Sequence, residues 1–241
     1  MRWLAVALAV QTVAVPPLTA QAPYRVSWWD AASVGVAGVL SVIPRAAGLP
    51  HGPPPCAPCD PASLPGIDHA ALHTFSGSAA TASSVLLVGV VGLSGVASLD
   101  GATPAQVRGH AVVFANSLGW TFAATEWLKA LAHRSRPVFY TAAASAAGSD
   151  RDNRRSFPSG HASLAFAAAT SYLVMAQRER LPHRTRNAVL LFAGAVGTAA
   201  LRVAAHKRYH AVVVEAGPTA IQGRAIANDG TELDTFMIPL P

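Results

Sequence analysis

Residues 79–99 contain no Asp, Glu, Lys or Arg, and this run constrains the chain more than any other feature. A backbone wrapped in apolar side chains has to satisfy its own N–H and C=O groups, which an α-helix does within one segment. Three more apolar stretches follow, at Ala105–Leu131, His161–Gln177 and Asn187–Ala205. A bilayer's hydrocarbon core takes roughly 20 helical residues to cross, so each stretch is of spanning or near-spanning length. Ala, Gly, Ser and Thr recur in all four, which lets helices pack closely where lipid offers no hydrophobic drive. Hydrophobic residues make up 51% of the chain and charged residues 12%, where soluble domains average about a quarter charged. The expected class is all-α, a membrane-embedded helical bundle.

Around these runs the sequence divides into four parts. Residues 1–22 have the parts of a secretory signal: Met1-Arg2, an apolar run from Trp3 to Val15, then Pro16-Pro17-Leu18-Thr19-Ala20. Cleavage is expected near Ala20 or Ala22, with an uncleaved anchor as the alternative. Residues 23–78 form a Pro-rich extracytoplasmic segment with a short helix within Asp30–Leu49 that only partly enters the membrane. Residues 79–217 form the bundle, and 218–241 an irregular tail in which the last helix is degenerate. Cys56 and Cys59, the only cysteines, lie in the Pro-rich segment. They read as a local disulfide in an oxidising compartment, with unpaired thiols as the alternative.

Charge sets the orientation. Arg178, Arg180, Arg184 and Arg186 crowd one short connection, which marks the cytoplasmic side by the positive-inside rule. The ends of the runs near Lys129, Gly160 and Arg202 then face outward, together with both cysteines, provided residues 31–49 do not span. Polar residues within 105–131 (Gln106, Arg108, His110, Asn116, Glu126) suggest a lined cavity, because such groups are expensive at depth. The net charge of +6 suits anionic partners such as phosphate headgroups or an anionic membrane surface. Nucleic acid is excluded as a partner, since the charges sit in short loops and no aromatic-basic stripe exists.

Three segments bring cations or imidazoles to the end of an apolar run. Phe157-Pro158-Ser159-Gly160-His161 joins a basic loop to the third run, with proline placed for a first helical turn. Free N–H groups there, with glycine allowing close approach, make an anion seat beside a proton-carrying imidazole. Lys129 and Arg136 lie seven positions apart before Pro137, on one face of a helix that reaches that far. Arg202 ends the fourth run and is followed by His206-Lys207-Arg208-Tyr209-His210.

Lys129-x6-Arg136-Pro137, then Pro158-Ser159-Gly160-His161, then Arg202 with a downstream histidine resemble the three-part signature of the type-2 phosphatidic acid phosphatase superfamily. The resemblance covers residues 110 to 210 and implies a metal-independent phosphohydrolase with no cofactor. Its substrates would be membrane lipid phosphates or polyprenyl diphosphates, cleaved through a phosphohistidine on the outer face of a bacterial-type inner membrane. Lys129, Arg136 and Arg202 would bind the phosphoryl oxygens, Ser159 and Gly160 would complete the cradle, and His161 would be the general acid. The third part departs from the family, which expects its nucleophilic histidine at 208 and an orienting aspartate at 212. This chain has Arg208 and Val212, which leaves His210 as the candidate nucleophile. Two alternatives stay open: a catalytically impaired member that only binds phosphorylated headgroups, and another chemistry on the scaffold, such as a soluble secreted acid phosphatase or a vanadate-dependent haloperoxidase.

Overall fold

The computed structural model describes residues 24–64, 72, 76–141, 144–148, 150–204, 210–216, 220–227 and 232–239. The signal-like residues 1–22 lie outside the described residues. Five long helices carry the fold: α1 Trp28–Ala46, α2 Gly77–Ala97, α3 Pro104–Ala132, α4 Gly160–Arg178 and α5 Arg184–Ala204. Their ends follow from local chemistry. Ser27 N–H donates to Asp30 Oδ2 (2.7 Å) at the start of α1, and Ser76 Oγ caps α2 by accepting from Ala79 N–H (3.1 Å). Thr103 and Gln106 form a reciprocal capping box ahead of Pro104, satisfying donors that no helical carbonyl can reach. α3 stops at His133, whose positive φ of 48° turns the chain out of the helix before Pro137.

α4 is the centre of the bundle and packs against α2, α3 and α5. Its buried face is built from Ala165, Ala168, Ala169, Ser171 and Ala176 around Tyr172 and Met175, so neighbouring backbones come close. The same device joins α2 to α5. A Cβ at Gly194 would stand 2.6 Å from Val90 Cγ2, and Ser83 Oγ donates to Thr198 O (3.3 Å). These contacts, at 83 with 198 and 90 with 194, make α2 and α5 antiparallel. α1 instead runs parallel to α3, tied by Asn116 to Asp30 O (3.4 Å), Trp120 to Ser33 (2.9 Å) and Trp127 to Leu40 O (3.1 Å). One end of the bundle therefore gathers the C-termini of α1, α3 and α5 with the N-termini of α2 and α4.

Two expectations need correction here. The helix expected to be short within 30–49 is not short: α1 has 19 residues and lies along α3 over most of its own length. The chain from His210 on is not irregular either. It forms an antiparallel meander of β1 His210–Ala216, β2 Ala220–Ala227 and β3 Glu232–Pro239, with a register shift at Ala225/Ile226. The consecutive β-branched Val212, Val213 and Val214 favour strand over helix. The helical class holds for the bundle, and the sheet takes the place of a last helix.

Two helices, Gly77–Ala97 and Arg184–Val203, are long and apolar enough to cross a membrane. The outer faces of the bundle are apolar: Val39 and Val42 on α1, Val85, Val88 and Val96 on α2, Leu131 on α3, and Val189 and Leu190 on α5 are all exposed. These exposed apolar side chains and the two helices of spanning length are the features that suggest association with a membrane.

Candidate active site

Lys129 occupies the last turn of α3, and its ammonium approaches Gly160, the first residue of α4. A Cβ added at Gly160 would stand 3.2 Å from Lys129 Nζ, close enough to push the ammonium by a few tenths of an ångström, so glycine gives the cation its close approach to this backbone. α4 begins at Gly160 rather than at Pro158. Ser159 is its N-cap, with Oγ accepting from Ala162 N–H (3.4 Å). The serine therefore serves the helix end as well as lying beside the seat, and the free N–H groups of the first turn emerge next to the lysine.

Arg136 comes from the loop after α3, and pairing with a second loop fixes its place. Arg136 N–H donates to Asn153 O (2.7 Å), and Ser156 N–H to Arg134 O (3.1 Å). Its guanidinium donates to Asp152 O (3.0 Å) and to Asp152 Oδ2 (2.6 Å). Asp152 also pairs with Arg45 at the end of α1 (3.2 Å), which links the loop to the outermost helix. Arg45, Asp152 and Arg155 line a cleft of about 390 Å³ beside this network.

His161 lies one residue into α4, with Nε2 3.2 Å from Ser84 Oγ of α2. The charges of Arg202 and Lys129 both act on its imidazole. Arg202, in the last turn of α5, is within electrostatic reach of Arg136 and Asp152. The structure thus brings Lys129, Arg136, Ser159, Gly160, His161 and Arg202 to one end of the bundle from three separate stretches of chain. His210 opens β1, where its backbone pairs with Ala227, and its side chain is outside the description. His206 and Arg208 lie outside the described residues.

Sequence reasoning missed the acidic partners. Glu126 Oε1 pairs with Lys129 Nζ (2.7 Å) and Oε2 with Arg155 Nη2 (2.6 Å), while Asp152 holds Arg136. The available signal was Glu126 three residues before Lys129, the spacing of neighbours on a helix. The expected single cavity lined by the polar residues of α3 is not what forms: Glu126 lies at the site's end, Asn116 bonds α1 midway along the helix, and Gln106 and His110 lie at the far end. Gln106 Nε2 donates to Glu179 Oε2 (2.7 Å) and His110 pairs with the same carboxylate (2.9 Å), closing the end opposite the site. The basic loop is also less available than its composition suggests. Arg154 is buried and donates to Gly52 O (2.5 Å) and Pro50 O (3.1 Å), anchoring the Pro-rich segment. That segment carries a Cys56–Cys59 disulfide, and Cys59 N–H donates to Phe139 O (2.7 Å).

Three cations (Lys129, Arg136, Arg202) gathered at the start of α4 suit an anion with several oxygens. The family model described as PAP2 superfamily matches residues 110–213, which include Glu126, Lys129, Arg136, Asp152, Arg155, Ser159, Gly160, His161 and Arg202. Over that segment the chain resembles the PAP2 superfamily, a likeness that supports phosphatase-type activity in general. No curated protein and no solved structure matched the chain.

Proposed function

We propose that the protein is a membrane-bound, metal-independent phosphohydrolase acting on lipid phosphates or polyprenyl diphosphates. The observation that carries this reading is the convergence of Lys129, Arg136 and Arg202 on the α4 N-terminus beside His161. Fixed cations there oppose the charge that develops on the equatorial phosphoryl oxygens, without reorganisation at the moment of reaction. His161 protonates the departing ester oxygen as a histidine from the third segment attacks phosphorus. The P–O bond to the leaving group breaks and a P–N bond forms. Water, deprotonated by the same His161, then displaces the imidazole and releases inorganic phosphate.

His210 is the nucleophile in this reading. Val212 favours the alternative, a chain that binds phosphate without cleaving it, because no carboxylate stands where the family orients its histidine. Phosphate release from a short-chain phosphatidic acid, measured in detergent with excess chelator, separates the two. Release that persists with chelator and is lost in His210→Ala supports the hydrolase. Vanadate binding without any release would mean that the seat has outlived the chemistry.

The membrane part of the proposal rests on the exposed apolar faces and on the alternation of helices. α1, at roughly 1.5 Å per residue, is close to 28 Å long, near the thickness of a hydrocarbon core. It runs parallel to α3, so its N-terminus shares the end of the arginine-rich 178–186 connection. That end is the cytoplasmic one under the positive-inside rule. A spanning α1 calls for an uncleaved anchor, or no signal function at all, in place of a cleaved signal. A cysteine introduced as Arg25→Cys should be shielded from an impermeant maleimide in intact cells, and one introduced as Ser78→Cys labelled. The reverse pattern would overturn this topology.

A further inference from the structure

The proposed phosphatase reading names the cations of the seat but not what aims them. We infer that Glu126 is a positioning residue that fixes the ammonium of Lys129 over Gly160, with Arg155 holding the carboxylate in turn. The inference rests on that reading of the seat as a phosphoryl site.

The geometry is a fork with both prongs occupied. Glu126 is 5% exposed, and its two oxygens serve different partners, Oε1 taking Lys129 Nζ at 2.7 Å and Oε2 taking Arg155 Nη2 at 2.6 Å. Arg155 is 4% exposed, and its Nη2 also lies 3.5 Å from the Glu126 backbone carbonyl, so the guanidinium is anchored to α3 twice. A guanidinium is rigid and planar, and it sets the plane of the carboxylate it binds. With that plane set, the direction of Oε1 is set, and with it the place of the ammonium. Lysine otherwise carries a flexible four-carbon stem and a charge free to wander. An ammonium has three donors. One is committed to Glu126, which leaves two for oxygens arriving over the side-chain-free Gly160.

The arrangement differs from an ordinary helix ion pair. Exposed pairs three residues apart contribute little. Here the carboxylate is buried and its second partner comes from a separate loop, 29 positions away. Its negative charge also offsets repulsion among cations that must sit close together before any anion arrives.

The test uses full-length protein in detergent and two readouts, phosphate release and the affinity for orthovanadate as a phosphoryl mimic. Glu126→Gln keeps the shape and removes the charge. Because it leaves Arg155 buried without a partner, the double variant Glu126→Gln with Arg155→Met is measured beside it. If Glu126 aims Lys129, the double variant regains thermal stability but loses kcat/KM and vanadate affinity by about 10- to 100-fold, the scale of a misplaced catalytic group. In a Lys129→Ala background the same pair of changes should add almost nothing to the loss of vanadate affinity, since the residue being aimed is gone. A double variant with wild-type kcat/KM and vanadate affinity would overturn the inference while leaving the phosphatase reading intact. Equal losses with and without Lys129 would reduce Glu126 to a structural ion pair. A wild-type protein that neither releases phosphate nor binds vanadate would overturn both.

Discussion

His161→Ala should lower phosphate release by about 10²- to 10⁴-fold, the usual contribution of a positioned acid and base, and leave the fold intact. The loss should fall on kcat more than on KM. The imidazole serves the leaving oxygen and the attacking water, while Lys129, Arg136 and Arg202 remain to hold the phosphoryl group. Stability should barely move, because among the described residues the imidazole's hydrogen-bond contact is with Ser84 Oγ at 3.2 Å, and that hydroxyl also donates to Ala80 O (3.1 Å). The measurement is a paired one, steady-state phosphate release and thermal unfolding on the same preparation. Activity close to wild type would remove His161 from the mechanism. It would also remove the reason for reading the start of α4 as more than an anion seat.

Arg136→Ala should do damage of two kinds. A clamp residue that neutralises a developing oxyanion is worth on the order of 10²- to 10³-fold in rate. Arg136 is also the partner of Asp152, through bonds of 2.6 Å to the carboxylate and 3.0 Å to the carbonyl. Asp152 would keep Arg45, a pair with 70% and 30% of its side-chain surfaces exposed, which is too wet to hold the loop firmly. A destabilisation of about 1 kcal/mol is expected, since the Arg136–Asp152 pair is itself only partly buried. Arg136→Lys should recover much of that stability and little of the rate, because an ammonium cannot reproduce the two-point contact. Full catalytic rescue by lysine would mean that charge alone, without the fork, suffices at this position.

Much of the site was legible because its elements are local. Lys129 and Arg136 precede Pro137, Ser159 and Gly160 open a helix, and Arg202 closes one, so each could be assigned to a helix end from the residues beside it. The electrostatic partners were not legible in this way. Arg155 and Glu126 are 29 positions apart, and Arg45 and Asp152 are 107 apart, so no periodicity links them. The sheet was missed for a different reason. Three consecutive valines read equally well as the start of a buried helix until the pairing of β1 with β2 decides between the two periods.

The amino-acid sequence by itself determined where apolar helices form and how they are capped. It also determined the order in which three cationic helix ends follow one another, because hydrophobic runs, caps and breakers act within a turn or two of the chain. Only the tertiary structure decided that α1 lies parallel to α3, that Glu126 and the Gln106–His110 pair stand at opposite ends of the bundle, and that Glu126 and Asp152 stand among the cations. Those outcomes depend on which surfaces meet. A buried charge takes the partner that packing delivers, and packing is a property of the whole chain.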